Sequence, residues 1–308
     1  MKSVTAEEFE GVVCAAAGPP ARARGRGRWS AYRELTKPRI TTFVLLTTAA
    51  GFFLGSRGPF AWLLFLNTVV GVGLLSSGVS ALNEYIERDL DALMRRTARR
   101  PLPTGRLSAR VALAFGLLLT AGGELYLAAC VNLLSAACGL GVVVGYLLLY
   151  TPLKTRTSLS TVVGAFPGAV PPLLGWAAAA GTVGVEAWVL FAILFLWQFP
   201  HFFAIAWMYR EDYARAGILM LPVVEPEGRL TRQQIVLWTL MLVPVSLAPA
   251  ALGISGAVYF AGALVLGGLF VWISLAAALT LSRRNARRVL LASVVYLPFL
   301  FGLMVTKL

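Results

Sequence analysis

Four carboxylates crowd into eight positions, Glu84, Glu87, Asp89 and Asp91, just ahead of the basic residues Arg95, Arg96, Arg99 and Arg100. The run before them, residues 60–82, is apolar and long enough to cross a bilayer, which takes about 20 residues, so the acids stand at a helix mouth. On an α-helix Asn83, Glu87 and Asp91 recur at i, i+4 and i+8 and stack as one stripe; Glu84 flanks it, and Asp89 points elsewhere. Like charges one turn apart destabilise a bare helix. The stripe therefore calls for a cation, and a divalent one.

The pattern returns once. Arg210, Glu211 and Asp212 follow another apolar run, so all three aspartates of the chain sit in two connections, interleaved with arginines. Magnesium keeps several waters and is usually held by one or two carboxylates together with substrate phosphates. Acids for the metal, with Arg and Lys for phosphate oxygens, make a magnesium diphosphate the ligand that suits both clusters. Glu225 and Glu227 read as ordinary loop acids, and Glu124, late in an apolar run, as an interfacial or packing residue.

Positioning these groups falls to membrane helices. Of 308 residues 58% are hydrophobic and 13% charged, with a mean hydropathy of +0.77, which indicates one integral membrane domain rather than two soluble ones. Nine apolar segments follow, near 40–56, 60–83, 108–128, 131–150, 160–181, 187–209, 233–253, 257–281 and 287–306. A net charge of +13 invites a nucleic-acid reading, but the basic residues lie between apolar runs and build no soluble basic face, so nucleic acid is set aside. Cytoplasmic loops carry Lys and Arg in excess, and all but Arg57 and Lys307 of the 27 fall in the N-terminal region and alternate connections. This predicts a multi-pass protein of a bacterial inner (plasma) membrane, N-terminus cytoplasmic and C-terminus outside. Cys14, Cys130 and Cys138 form neither a disulfide framework nor a zinc pattern.

Residues 1–30 join an acidic start to a Pro/Gly/Arg-rich run without hydrophobic period, and resemble neither a signal peptide nor a transit peptide. They are expected to be a disordered basic cytoplasmic tail, ahead of one nine-helix domain over residues 31–308. Thr36 is the expected cap of the first spanning helix, with Pro38 in its first turn.

The pattern N-E-x-x-E-x-x-x-D at Asn83, Glu84, Glu87 and Asp91 resembles the first acidic motif of the intramembrane prenyltransferases of the UbiA superfamily, with Glu where many members have Asp. TKPRI (36–40), DLDALMRRTARRPLPTG (89–105), YTPLKTRT (150–157), GAVPPLLGW (168–176) and QFPHFFAIAWMYREDYARAGILMLPVV (198–224) resemble its haem-farnesylating branch, the haem O synthases. The resemblance implies an all-α integral membrane fold, nine transmembrane helices around a central cavity open to the cytoplasm. It implies transfer of farnesyl from farnesyl diphosphate to a vinyl group of haem B, with water addition, giving haem O and diphosphate.

The same resemblance implies Mg2+ held by Asn83, Glu84, Glu87 and Asp91, with Asp212 in a second motif; there Tyr213 stands where a further carboxylate often does, leaving Glu211 as the only helper. Asn83, Glu87, Asp91, Asp212 and Lys154 become the catalytic set, and Arg96, Arg100, Lys154 and Lys37 the diphosphate-binding set, although lipid anchoring explains Lys37 equally well. Tyr150, Trp197, Phe199, Phe202 and Phe203 are candidates either for holding the prenyl cation against aromatic faces or for core packing. His201, the only histidine, is either a hydrogen-bonded structural residue or, imidazole being a common axial ligand of haem iron, a contact to the haem acceptor. The stretch GAFPGAVPPLLGW permits kinks and close helix approach. Implied partners are the lipid bilayer, a haem A synthase and cytochrome oxidase assembly. Two other readings stay open: the same chemistry on a quinone precursor or other ring, and a transporter, which would place its coupling carboxylates nearer the bilayer midplane.

Overall fold

A computed structural model describes residues 27–306, so the expected tail lies outside the described residues up to position 26. Residues 28–30, expected to belong to that tail, already form the start of helix α1 (Arg28–Leu35). All nine apolar segments fold as helices long enough to span a membrane: α2 (Pro38–Gly55), α3 (Trp62–Ile86), α5 (Ala109–Cys130), α6 (Leu133–Leu153), α7 (Ser160–Ala180), α8 (Val185–Met208), α11 (Arg229–Ala251), α12 (Ala257–Leu279) and α13 (Arg283–Thr306). Three short helices, α4 (Arg88–Leu93), α9 (Arg210–Arg215) and α10 (Leu221–Val224), lie in the long connections, and no strand occurs among the described residues.

The start of α2 departs from expectation. Thr36 closes α1, its hydroxyl donating to the Arg33 carbonyl, and Lys37 takes the cap position. Pro38 disfavours a right-handed helical conformation in the residue before it, and α1 does not run on into α2. Lys37 instead turns left-handed, at φ 45°, the one non-glycine residue among those described to do so. Such a backbone costs on the order of 1 kcal/mol.

Helices α7 and α8 form the centre, with 67% and 61% of their apolar windows buried against 22% for α5 and α6. Helix α2 lies along α7, α3 along α5, and α8 touches α7, α11 and α13. The Gly/Pro-rich α7 allows its neighbour in to backbone contact. A Cβ on Gly175 would sit 1.9 Å from the Thr48 carbonyl oxygen, and one on Gly51 1.9 Å from that of Pro172. Helices α13 and α2 meet more loosely, leaving an apolar groove of about 440 Å³ lined by residues such as Phe43, Thr47, Ala50, Leu297 and Phe301.

Forcing side-chain volume into the α2–α7 crossing is expected to be costly. Gly175→Val should lower stability by about 3 kcal/mol, whereas Gly141→Ala, where a Cβ meets nothing within 4 Å, should change it by less than about 0.5 kcal/mol. Thermal unfolding in detergent separates the two; equal midpoints would refute the crossing.

Candidate functional site

Helix α3 ends at Ile86 and α4 begins at Arg88, yet the phase carries through. The Glu87 N–H donates to the Asn83 carbonyl at 2.9 Å and the Asp91 N–H to that of Glu87 at 2.8 Å. Asn83, Glu84, Glu87 and Asp91 are 2, 2, 7 and 1% exposed, while Asp89 turns outward beside Arg88, 3.5 Å away. A carboxylate taken out of water needs a charged or hydrogen-bonding partner. Cations from three other places supply it. Lys154 Nζ donates to Glu87 at 2.5 Å. Arg100 donates to Asp91 at 2.6 Å, and its Nε lies 3.8 Å from Glu84. Lys37, delivered by the reversal between α1 and α2, donates to Asn83 Oδ1 at 3.1 Å and stands 3.9 Å from Glu84.

Lys154 follows a π-helical turn, Val144–Tyr150, inside α6. The wide turn sets Tyr146 and Tyr150 against the lysine, whose Nζ lies 4.4 Å from the Tyr150 ring centroid and 5.8 Å from that of Tyr146. Burial opposes the charge on Lys154, but Tyr150 and Glu87 more than offset this and hold its pKa above the ordinary lysine range. Burial and the nearby Arg100 push Lys37 the other way, to about 8. Thr151, inside the YTPLKTRT string but given no role there, receives a hydrogen bond from Asn83 Nδ2 at 3.4 Å.

The second acidic connection docks on the first. Asp212 is 8% exposed; its carboxylate accepts from the backbone N–H groups of Arg95 and Arg96 at 3.4 and 3.3 Å and from the Arg215 guanidinium. The Leu219 N–H donates to the Lys154 carbonyl at 2.8 Å, so a third connection joins them. Arg96, expected on diphosphate, lies over the rings of Tyr209 and Tyr213, 5.1 and 5.6 Å from their centroids.

Among the described residues no three of His, Cys, Asp and Glu converge as a metal cage. The side chains are paired instead with cations and backbone: Glu87 with Lys154, Glu84 and Asp91 with Arg100, and Asp212 with the loop at Arg95 and Arg96. What remains suits a hard ion all the same. Glu84 Oε2 and Asp91 Oδ1 are buried without a hydrogen-bond partner, and Arg100 touches both carboxylates. Two such oxygens, with phosphate completing the shell, are what magnesium ordinarily takes.

The aromatic set splits by helix phase. Trp197 and His201, one turn apart on α8, stack with centroids 4.7 Å apart, and Trp197 also stacks on Phe43 at 5.6 Å. Phe199 is 0% exposed and lies face to face with Trp238 at 3.8 Å, with Phe203 the next ring along its face. Phe199 is thus core packing and shares no cavity wall with Trp197, because residues two apart on a helix point to opposite sides. Phe202 meets His201 edge-on at 5.6 Å. His201 Nδ1 is 2.8 Å from Ser293 Oγ, and Trp197 Nε1 donates to the Ser293 carbonyl at 2.7 Å. Ser293 was unmarked in the sequence, its partner being 92 positions away.

Residues 44–303 match the model of the UbiA prenyltransferase family. A protoheme IX farnesyltransferase of Solibacter usitatus is 55% identical over 89% of this chain and 97% of its own length. One from Koribacter versatilis is 49% identical over 89% and 91%. Among solved structures, a digeranylgeranylglyceryl phosphate synthase superposes with a TM-score of 0.76 at 16% identity, covering 91% of this chain and 98% of that one. A UbiA homologue from Archaeoglobus fulgidus bound to DMAPP and Mg2+ does so at 0.63 and 18%, covering 91% and 100%.

The loop clasp is testable separately from chemistry. Asp212→Asn weakens charge-assisted bonds worth about 1.5 kcal/mol or more, so trypsin should cut after Arg95 and Arg96 roughly tenfold faster. Unchanged cleavage would refute the clasp.

Proposed function

The chain belongs to the UbiA prenyltransferase family, and on that premise we propose that it transfers the farnesyl group of farnesyl diphosphate to a vinyl group of haem B, with addition of water, giving haem O and diphosphate. Relatives named protoheme IX farnesyltransferase, at 55% and 49% identity, support the acceptor. One observation carries the chemistry: Lys37, Arg100 and Lys154, from three separate elements, rest on the buried stripe acids. Cations held this way are ready to exchange a carboxylate for a phosphate oxygen.

Glu84 and Asp91, each with a buried oxygen that has no hydrogen-bond partner, would hold Mg2+ beside Asn83 and Glu87, and the ion would supply Lewis-acid neutralisation of a leaving diphosphate. The A. fulgidus homologue bound to DMAPP and Mg2+ supports this pairing of metal and prenyl diphosphate. Lys37, Arg100 and Lys154 stabilise the charge that gathers on the diphosphate oxygen as its bond to the first farnesyl carbon breaks. The electron pair leaves with diphosphate. The terminal vinyl carbon of haem attacks the allylic cation, water adds to the inner vinyl carbon, and one proton is released. Tyr146 and Tyr150 place ring faces beside Lys154, at the end where the cation forms.

The clustering of basic residues at the acidic end supports an orientation with that end toward the cytoplasm of an inner membrane, the N-terminus inside and the C-terminus outside. Haem O would pass within that membrane to a haem A synthase serving cytochrome oxidase assembly.

Chelation is expected to abolish haem O formation by the purified protein, and added Mg2+ to restore it. Glu84→Gln and Asp91→Asn should each lower kcat/KM for farnesyl diphosphate by about 100-fold, or 2.7 kcal/mol, with the thermal midpoint retained. A loss of less than about threefold in both variants would remove the stripe from the mechanism.

A further inference from the structure

The hydroxyl of Ser293 has one proton, and it goes to the Leu290 carbonyl 2.7 Å away. With that proton on Leu290, the same oxygen accepts from His201 Nδ1 at 2.8 Å. In this arrangement Nδ1 carries the imidazole proton and the lone pair lies on Nε2. Nothing among the described residues bonds Nε2, and the ring is only partly buried. The Ser293 carbonyl meanwhile takes the Trp197 indole N–H at 2.7 Å, and the indole lies on the imidazole at 4.7 Å with planes 26° apart. One fully buried serine thus holds both rings, the imidazole through its hydroxyl and the indole through its carbonyl.

A neutral imidazole with its proton held on one nitrogen and its lone pair free on the other is how proteins present histidine to a metal. Resting on the reading of haem B as acceptor, we propose that His201 Nε2 binds the haem iron as an axial ligand, with Ser293 and Trp197 as positioning residues. The bond would fix the porphyrin on α8, about 10 Å along the helix axis from the end of α8 at Met208, beyond which the acidic connection begins. A vinyl group is then presented to the cation while the iron is held away from the diphosphate.

Titrating the purified full-length protein in detergent with ferric haem B alone tests this by optical and electron paramagnetic resonance spectra. Wild type should show an imidazole-ligated haem. His201→Ala should lose that signature and regain it with added imidazole, and His201→Cys should replace it with a thiolate-ligated one. Ser293→Ala should weaken haem binding about tenfold, with Ser293→Thr restoring it. Farnesyl diphosphate binding, followed by calorimetry, should be unchanged in all of them and reports that they are folded. An unchanged spectrum in His201→Ala and His201→Cys overturns the ligation, whether or not haem O is still made. Wild-type protein that ligates haem through His201 but never farnesylates it would overturn the reading of the reaction instead.

Discussion

Burial of negative charge at a helix mouth is the constraint on which the rest of this structure depends. Four polar side chains, three of them carboxylates, leave the bilayer side by side at the end of α3, nearly sealed from water. Water cannot solvate them and one another's charge repels them, so the fold brings in cations. That each comes from a different part of the chain, before α2, after α4 and after α6, ties three segments to one point.

The same requirement accounts for features that look unrelated. Lys37 tolerates a left-handed backbone because Asn83 and Glu84 stand where that turn delivers the ammonium. The π-helical turn in α6 performs the corresponding service for Lys154, adding the faces of two tyrosines to the carboxylate. Asp212 contributes at one remove, holding the backbone at Arg95 and Arg96 and so steadying the loop that carries Arg100. Beneath them, glycines where α2 crosses α7 let two backbones touch, which locates Lys37 relative to α6 and α7.

Cations on acids are satisfied enough to fold and leave two carboxylate oxygens without partners. On the proposed function, a magnesium diphosphate would supply what both lack, the metal to the acids and the phosphates to the cations. The proposed acceptor side is assembled differently, from neutral groups: a serine, an indole and an imidazole between α8 and α13, linked by hydrogen bonds and stacking rather than by charge. Separating a charged donor end from an uncharged acceptor end suits a reaction whose intermediate must form near anions and be captured away from water.

The sequence by itself determined the nine spans, the all-helical class and the stripe, because hydropathy and the i, i+4 repeat are local properties that survive packing. It marked Lys37, Arg100 and Lys154 as basic residues near acids, without saying which acid each would meet. Only the tertiary structure decided that pairing, turned Asp212 into a loop clasp, moved the helix cap from Thr36 to Lys37, and set Phe199 into the core apart from Trp197. It alone found Ser293 for His201. These outcomes depend on the rotation of one helix against another and on contacts between residues far apart in the chain, and neither leaves a local pattern in the order of amino acids.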